Sequence, residues 1–370
     1  MYVDNAATTP LTPEVKDYII SLLGLYQNPS SLYSGGSNVK NVINIARDNV
    51  AKFINADPEN IIFTSSGSAS NTLAIKGYTQ KHDCIVLYSP IAHKSILNCV
   101  KSIKKAYPLK VDSCGRINTG DLKEWMETRE NYLVVLSYAD SEIGTIQDIK
   151  KLVELIHFYN NTVYVDCTGA ISQIPINVKS IPYDMLGFSG HKLHALKGIG
   201  VLYKRANIAL EPLVYGAQEM GISSGTENVL GIGSLGKAVE NYDYSSISSW
   251  CAEYVYDYII QNIPDSYLVG TPIGENRLPH NLYVCFKGIS GESLLILMDM
   301  NNIQISTGSA CSSGSPLPSS TLLAIGMNEE DLHSCVRLTF SGNETKKELD
   351  YLCEKLKRDV EMLRCLNGKV

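Results

Sequence analysis

The stretch "NIIFTSSGSASNTLAIKG", residues 60–77, decides the fold. Its apolar start, Ile61 to Phe63, reads as a buried strand, and the periodic "SASNTLAIKG" reads as a helix. Between them lies a short Gly/Ser turn around Gly67 and Ser68. The free N–H groups and the dipole of such a helix N-terminus favour an anion, so this turn can cradle a phosphate. An ordinary serine N-cap is the plainer alternative at the same place.

The same alternation continues outward. "DCIVLYS" (83–89) precedes "HKSILNCVKSIKKA" (93–106), "YLVVLSY" (132–138) precedes "DIKKLVELIHFYN" (148–160), and "TVYVDCTG" (162–169) follows. Strands alternating with helices imply an α/β fold, with a mostly parallel sheet flanked by helices on both faces. Ligands then collect at the carboxyl ends of the strands. A chain of 370 residues exceeds one small core, so a large domain and a smaller one are expected. The serine-rich "YDYSSISSW" (242–250) marks the transition between them, and "KKELDYLCEKLKRDVEMLRCL" (346–366) reads as a long amphipathic helix closing the smaller α/β unit.

Composition narrows the function. A net charge of −6 lacks the basic face that nucleic-acid phosphates require. The start "MYVDNAATTP" has neither a basic segment nor an apolar core of a signal peptide, and no apolar run is long enough to span a membrane; a cytoplasmic protein without membrane contact is expected. The ten cysteines contain no CxxC pair and no clustered metal spacing, which argues against a disulfide framework and against a metal site.

Within "SGHKLHALKGIG" (189–200), Lys192 follows the apolar-to-small run "YDMLGFSGH", at the end of a strand. A partly desolvated lysine there can bind a carbonyl cofactor such as pyridoxal phosphate covalently. Ser189 and His191 can donate to its phosphate. Asp166 ends the apolar strand "TVYVD", where a carboxylate needs a cationic partner, and a pyridinium nitrogen is one. His93 follows another strand and can stack on a ring or move protons. Cys311 lies in the Gly/Ser-rich "ISTGSACSSGSP" (305–316), with no apolar wall to pack against, which favours exposure and reactivity. Arg337 interrupts "SCVRLTF" (334–340) and suits capture of an amino-acid carboxylate. Each has a plain alternative: a solvated lysine, a turn-capping aspartate, a structural histidine, a buried thiol, a surface arginine.

Together, "VDNAATTP", "QNPSS", "IARDNVAKFINADPENIIFTS", "EIGTIQDI", "SGHK" with "KGIG", "SGTEN", "STGSACSSGS" and "VRLTFS", in order along nearly the whole chain, resemble group I cysteine desulfurases. These are the NifS and IscS family of fold-type I pyridoxal-phosphate enzymes, in the class V aminotransferase superfamily. The resemblance implies a large cofactor domain over residues 15–245 and a small domain from 1–14 and 246–370, with a catalytic-cysteine loop near 306–318. It makes Lys192 the cofactor lysine, Asp166 the partner of the ring nitrogen, and His93 the stacking and proton-transfer residue. Gly67, Ser68, Ser189 and His191 would bind phosphate, with Thr226 reaching across from the other subunit of a homodimer. Asn28 and Arg337 would hold the substrate carboxylate. Cys311 would take sulfur from L-cysteine as a persulfide, leaving L-alanine, and pass it to an acceptor protein of iron–sulfur cluster or tRNA-thiolation chemistry.

The chain departs from the family pattern in "YADSEIG", which puts Asp140 where a neutral amide contacts the cofactor's phenolic oxygen, and in "DCTG", where Gly169 replaces a glutamine. It also has "ALKG" in place of "GPKG", and Ser223 in place of an arginine. A lyase or aminotransferase acting on selenocysteine, cysteine sulfinate or another amino acid, and a non-catalytic paralogue, therefore remain as alternatives.

Overall fold

The computed structural model describes residues 1–308 and 318–368. Among them ten strands form two sheets: β1 (Ile61–Thr64), β2 (Ile85–Tyr88), β3 (Ala106–Pro108), β4 (Tyr132–Ser137), β5 (Thr162–Asp166), β6 (Met185–Ser189), β7 (Gly200–Lys204), β8 (Ser266–Leu268), β9 (Asn281–Phe286) and β10 (Cys335–Thr339). The first seven make one sheet, in the order β1-β7-β6-β5-β4-β2-β3.

From β3 to β6 the neighbours run parallel. All residues of β4 and β6 are buried, as strands covered on both faces must be. Alternate side chains serve opposite faces: Val134, Leu136, Val163 and Val165 join one core, while Leu133, Val135 and Tyr164 join the other. The helix Ile149–Phe158 shows why a segment docks on such a sheet. Asp148 caps its first turn by accepting from Lys151 N–H, and Ile149, Leu152, Val153 and Ile156 form its buried stripe. Each such side chain contributes about 1.5–3 kcal/mol on burial.

The sequence presents β1 as a member of the parallel set, but among the described residues β1 lies at the sheet edge and pairs with β7, antiparallel. β7 turns back from β6 as a hairpin and inserts between β6 and β1. Two reversals cancel, so the carboxyl end of β1 still lies with that of β6: Thr64 and Ser189 both pair with Gly200. The approach there is close. A Cβ on Gly200 would fall 2.3 Å from the Ser66 carbonyl carbon and 2.7 Å from Gly67 N. Only glycine lets the turn after β1 meet the turn after β6.

The second sheet, β10-β9-β8, is antiparallel. It shares a core with the helices Trp250–Asn262, Gly291–Met300 and Lys346–Leu366. The last of these starts with a capping box between Thr345 and Glu348. Val3 joins this core, and Asp4 bridges Thr339 of β10. The N-terminal segment therefore runs along β10 before it crosses to the large sheet. Among the described residues no helix is long and apolar enough to cross a membrane.

Candidate active site

The carboxyl ends of β1, β2, β4, β5 and β6 open onto a cavity of about 340 Å³. Its wall contains Gly67, Ser68, His93, Asp140, Asp166, Ser189, His191, Lys192 and Arg337. Sheet register brings three of the contributing strand ends level, since Ser137 pairs with Asp166 and Asp166 with Gly187. A second chamber of about 210 Å³ adjoins this one and shares Ser141, Thr168, Gly169 and Lys192 with it.

Lys192 ends the short turn Gly190–Lys192 that follows β6. Its Nζ donates to the carbonyls of Ala6 and Ala7, the latter at 2.8 Å. Thr9 fastens the same N-terminal segment to the turn, its N–H and hydroxyl both reaching the His191 carbonyl, at 3.0 and 2.9 Å. The stretch "NAATTP" thus aims the lysine, a role that reading the motif alone did not assign. His191 Nδ1 meets Thr8 Oγ1 at 3.1 Å. Desolvation, with the Lys192 and Lys197 charges, brings the His191 pKa down to about 4. It is therefore a neutral hydrogen-bonding group at physiological pH, not a cation.

Asp166 is buried, and both of its oxygens are engaged: Oδ1 accepts from Thr168 N–H at 2.9 Å and Oδ2 from Asn71 Nδ2 at 2.9 Å. The Asn71 amide also donates to Ser95 Oγ at 2.8 Å, and that hydroxyl lies 2.7 Å from His93 Nδ1. Tyr164 OH fixes the amide by donating to Asn71 Oδ1. A polar chain therefore links the aspartate to the histidine. Because His93 Nδ1 accepts from Ser95 N–H at 3.1 Å, the proton of the neutral ring sits on Nε2. The ring opens onto the cavity, yet desolvation is the main cause holding its pKa below the ordinary histidine value, with Asp166 pulling upward and Lys192 and Lys94 pushing down. Sequence reasoning missed Asn71 and Ser95; their places in the first turns after β1 and β2, Asn71 in the helix Gly67–Thr72 and Ser95 at the start of the helix Lys94–Val100, were the available signal.

The opposite wall is the 139–144 turn. Asp140 lines the cavity, but its Oδ1 accepts from the N–H groups of Glu142 (2.8 Å) and Ile143 (2.7 Å). This oxygen closes its own turn, where the sequence led us to expect a contact aimed at a cofactor oxygen. Desolvation, then the neighbouring Glu142 charge, pushes the Asp140 pKa up to about 7. Gly169 packs against the same turn: a Cβ there would lie 2.7 Å from the Ala139 carbonyl oxygen. The missing glutamine is thus tied to backbone packing.

Arg337, buried on β10, donates to Asp4 Oδ1 at 2.7 Å and to the Ser141 carbonyl at 3.1 Å. Its Nε is buried and has no hydrogen-bond partner among the described residues. Asn281 supports the turn from below, its Nδ2 donating to the Glu142 carbonyl at 3.2 Å. Arg277 in turn holds Asn281, donating to its backbone carbonyl and its Oδ1 at 3.0 and 3.1 Å.

Asn28 and Thr226 do not join the cavity within one chain. They share a surface pocket, and Asn28 Oδ1 accepts from Ser30 N–H at 2.8 Å in a local turn. Thr226 also lines a neighbouring cavity that meets the central one at Ser68 and Gly198. Cys311 lies outside the described residues.

The residues present fit pyridoxal phosphate. Gly67 is hemmed in: a Cβ there would come within 3.1 Å of Ser189 Cβ and 3.2 Å of Thr168 Oγ1, so glycine keeps an anion cradle open at the start of the helix Gly67–Thr72. A primary amine and a buried carboxylate face the same space.

Residues 1–352 match the family model for aminotransferase class-V, and the chain belongs to that family of pyridoxal-phosphate enzymes. It is similar to cysteine desulfurase IscS from Clostridium botulinum, 36% identical over 98% of this chain and 95% of that protein. Cysteine desulfurase IscS 1 from Archaeoglobus fulgidus is also 36% identical, over 99% of this chain and 98% of its own length. Among solved structures, a NifS-like protein from Rickettsia africae superposes with a TM-score of 0.89 at 28% identity, covering 98% of this chain and 99% of that one. SspA in complex with cysteine superposes at 0.80 with 29% identity, covering 93% and 99%.

Proposed function

We propose that this chain is a cysteine desulfurase that moves sulfur from L-cysteine to Cys311 as a persulfide, releases L-alanine, and hands the sulfur to an acceptor protein in the cytoplasm. The observation that carries the reading is one cavity wall holding the Lys192 amine, the Asp166 carboxylate and the Arg337 guanidinium, with Ser319 and Ser320, just after the segment containing Cys311, on the same wall. Relatives covering nearly the whole chain carry the same activity in their names.

Bound pyridoxal phosphate supplies an electron sink for charge developing at the substrate Cα. Lys192 would hold it, Asp166 would pair with its ring nitrogen, and Gly67, Ser68, Ser189 and neutral His191 would take its phosphate. Arg337, whose fork is held by Asp4 and the Ser141 carbonyl at the cavity wall, would orient the substrate carboxylate. The Lys192 amine takes the Cα proton, and His93, protonated on Nε2, is the second proton carrier. The Cys311 thiolate attacks the substrate sulfur, the substrate Cβ–Sγ bond breaks, and an S–S bond forms at Cys311. In sum, L-cysteine and the Cys311 thiol give L-alanine and the Cys311 persulfide.

The pocket shared by Asn28 and Thr226, lined also by exposed Tyr26, supports a homodimer in which Thr226 of one copy completes the other copy's phosphate site. The test is alanine formation from L-cysteine by cofactor-loaded protein with a thiol reductant. Wild type releases alanine in repeated turnovers and Cys311→Ser does not; absence of alanine from wild type with cofactor bound contradicts the reading.

A further inference from the structure

We propose that Asn281 and Arg277 are positioning residues for Arg337, and through it for the substrate carboxylate. The inference rests on the function proposed above and deepens it. In β9, Asn281 and Tyr283 share one face, and Arg337 of β10, paired with Tyr283, lies on that face too. All three are buried, and all three bond to the turn that follows β4. Asn281 Nδ2 donates to the Glu142 carbonyl at 3.2 Å and to the Ser141 carbonyl at a longer 3.4 Å. Tyr283 OH donates to Glu142 Oε1 at 3.1 Å, and one arm of the Arg337 fork to the Ser141 carbonyl at 3.1 Å. The Ser141 carbonyl is thus a shared acceptor, so the group that places it also places Arg337. Asp4 Oδ1 holds the other arm of the fork.

Arg277 fixes the orientation of the Asn281 amide. Its guanidinium, 2% exposed, donates to the Asn281 backbone carbonyl and Oδ1 at 3.0 and 3.1 Å, and to the carbonyls of Val269 and Thr271 at 3.0 and 2.5 Å. All four acceptors are neutral oxygens. Burial brings the Arg277 pKa down to about 10, so the group is still charged at neutral pH. A guanidinium buried without a carboxylate is costly, and here it yields orientation: with Oδ1 accepting from Arg277, the amide must present its Nδ2 to the turn. Gly144, at φ +76°, leaves the room, because a Cβ there would fall 2.4 Å from Asn281 Oδ1. The bonded chain runs from Arg277 through Asn281 and the Ser141 carbonyl to Arg337.

The test compares wild type, Asn281→Asp, Arg277→Lys and Arg337→Ala, each loaded with pyridoxal phosphate. Asn281→Asp keeps the shape and the Oδ1 acceptor but loses the two donated bonds. Binding of L-alanine, and of ethylamine, which is L-alanine without its carboxylate, is followed through the change in cofactor absorbance. Wild type is expected to prefer L-alanine, and Arg337→Ala to lose that preference. Asn281→Asp should weaken L-alanine binding about tenfold with ethylamine unchanged, and raise KM for L-cysteine by the same factor with little change in kcat. Arg277→Lys, which keeps the charge and loses the fork, should fall between the two. Should Asn281→Asp fail to hold cofactor, Arg277→Lys carries the comparison. A wild-type preference in both Asn281→Asp and Arg277→Lys overturns the inference, as does equal weakening of both ligands. Absence of the preference in wild type, or its survival in Arg337→Ala, overturns it as well. If L-cysteine yields no alanine, the proposed function fails, and the comparison of L-alanine with ethylamine still decides the role of Asn281.

Discussion

The wall made by Gly67, Ser68, Ser189 and His191 is assembled from strand ends in register, with glycines where backbones touch; the wall made by the 139–144 turn is assembled from buried side chains contributed by distant parts of the chain. On the first wall the backbone sets the geometry, because Thr64 and Ser189 both pair with Gly200 once the β6–β7 hairpin is in place. On the second, Asp140 and Glu142 depend on Arg337, Asn281 and Tyr283, which arrive from β9 and β10. Gly67, Ser68, Ser189 and His191 keep the family pattern on the first wall, with "ALKG" (195–198) and Ser223 departing beside it, and Asp140 and Gly169 depart from the pattern on the second. A wall fixed by backbone admits few substitutions; a wall fixed by side chains can change through compensating contacts.

That contrast ranks the expected effects. The largest falls on the first wall: Lys192→Ala removes the amine, and alanine release from L-cysteine should drop by about a thousandfold or more. The companion measurement is visible absorbance after gel filtration, which wild type retains and the variant loses. A variant that keeps both would show that the amine is not the cofactor anchor.

Next is Gly169→Gln, which restores the family's usual residue. The Cβ would press on the Ala139 carbonyl oxygen, a backbone atom that cannot swing aside. The expected cost is about 1–3 kcal/mol in urea unfolding, with no tighter cofactor binding. Wild-type stability with tighter binding would show that the turn yields, and the distinction between the walls would weaken.

The smallest effect is a pH dependence. The folded-state pKa of Asp140 is raised from 3.8 to about 7, so between roughly pH 4 and 7 the folded chain keeps a proton that the unfolded chain has released. The Asp140 contribution to stability therefore falls as pH rises through that window. Asp140→Asn, which can still accept from the two turn N–H groups, should make the change of urea midpoint between pH 5 and 7 less negative, or more positive, than in wild type; His93, His191 and His280, with lowered pKa values, add stability as pH rises in both proteins, and Glu142, with a raised one, subtracts it. An unchanged slope would place the titrating proton elsewhere.

The same contrast explains what was legible in the sequence. Strands that are buried on both faces announce themselves as apolar runs, so β2, β4 and β5 and the residues at their ends were readable. The antiparallel place of β1 was not, because it depends on the β6–β7 hairpin, and pairing partners leave no mark in local periodicity. Lys192, Asp166 and His93 were readable as residues of the right chemistry at strand ends. Their supports were not: Asn71 and Ser95 join Asp166 to His93 only after two helices pack, and Asp4 meets Arg337 across 333 positions. Asp140 was placed at the cofactor by the family pattern; it does line the cavity, and what the sequence did not show is that its Oδ1 is engaged by the N–H groups of Glu142 and Ile143.

The most direct test of the account is a single turnover with one equivalent of L-cysteine and the cofactor-loaded wild-type protein, in the absence of reductant. The alanine released and the mass of the Cys311 peptide are then measured together. The account predicts alanine and Cys311 persulfide in equal amounts. Alanine without sulfur on Cys311, or sulfur retained on another cysteine, would contradict it.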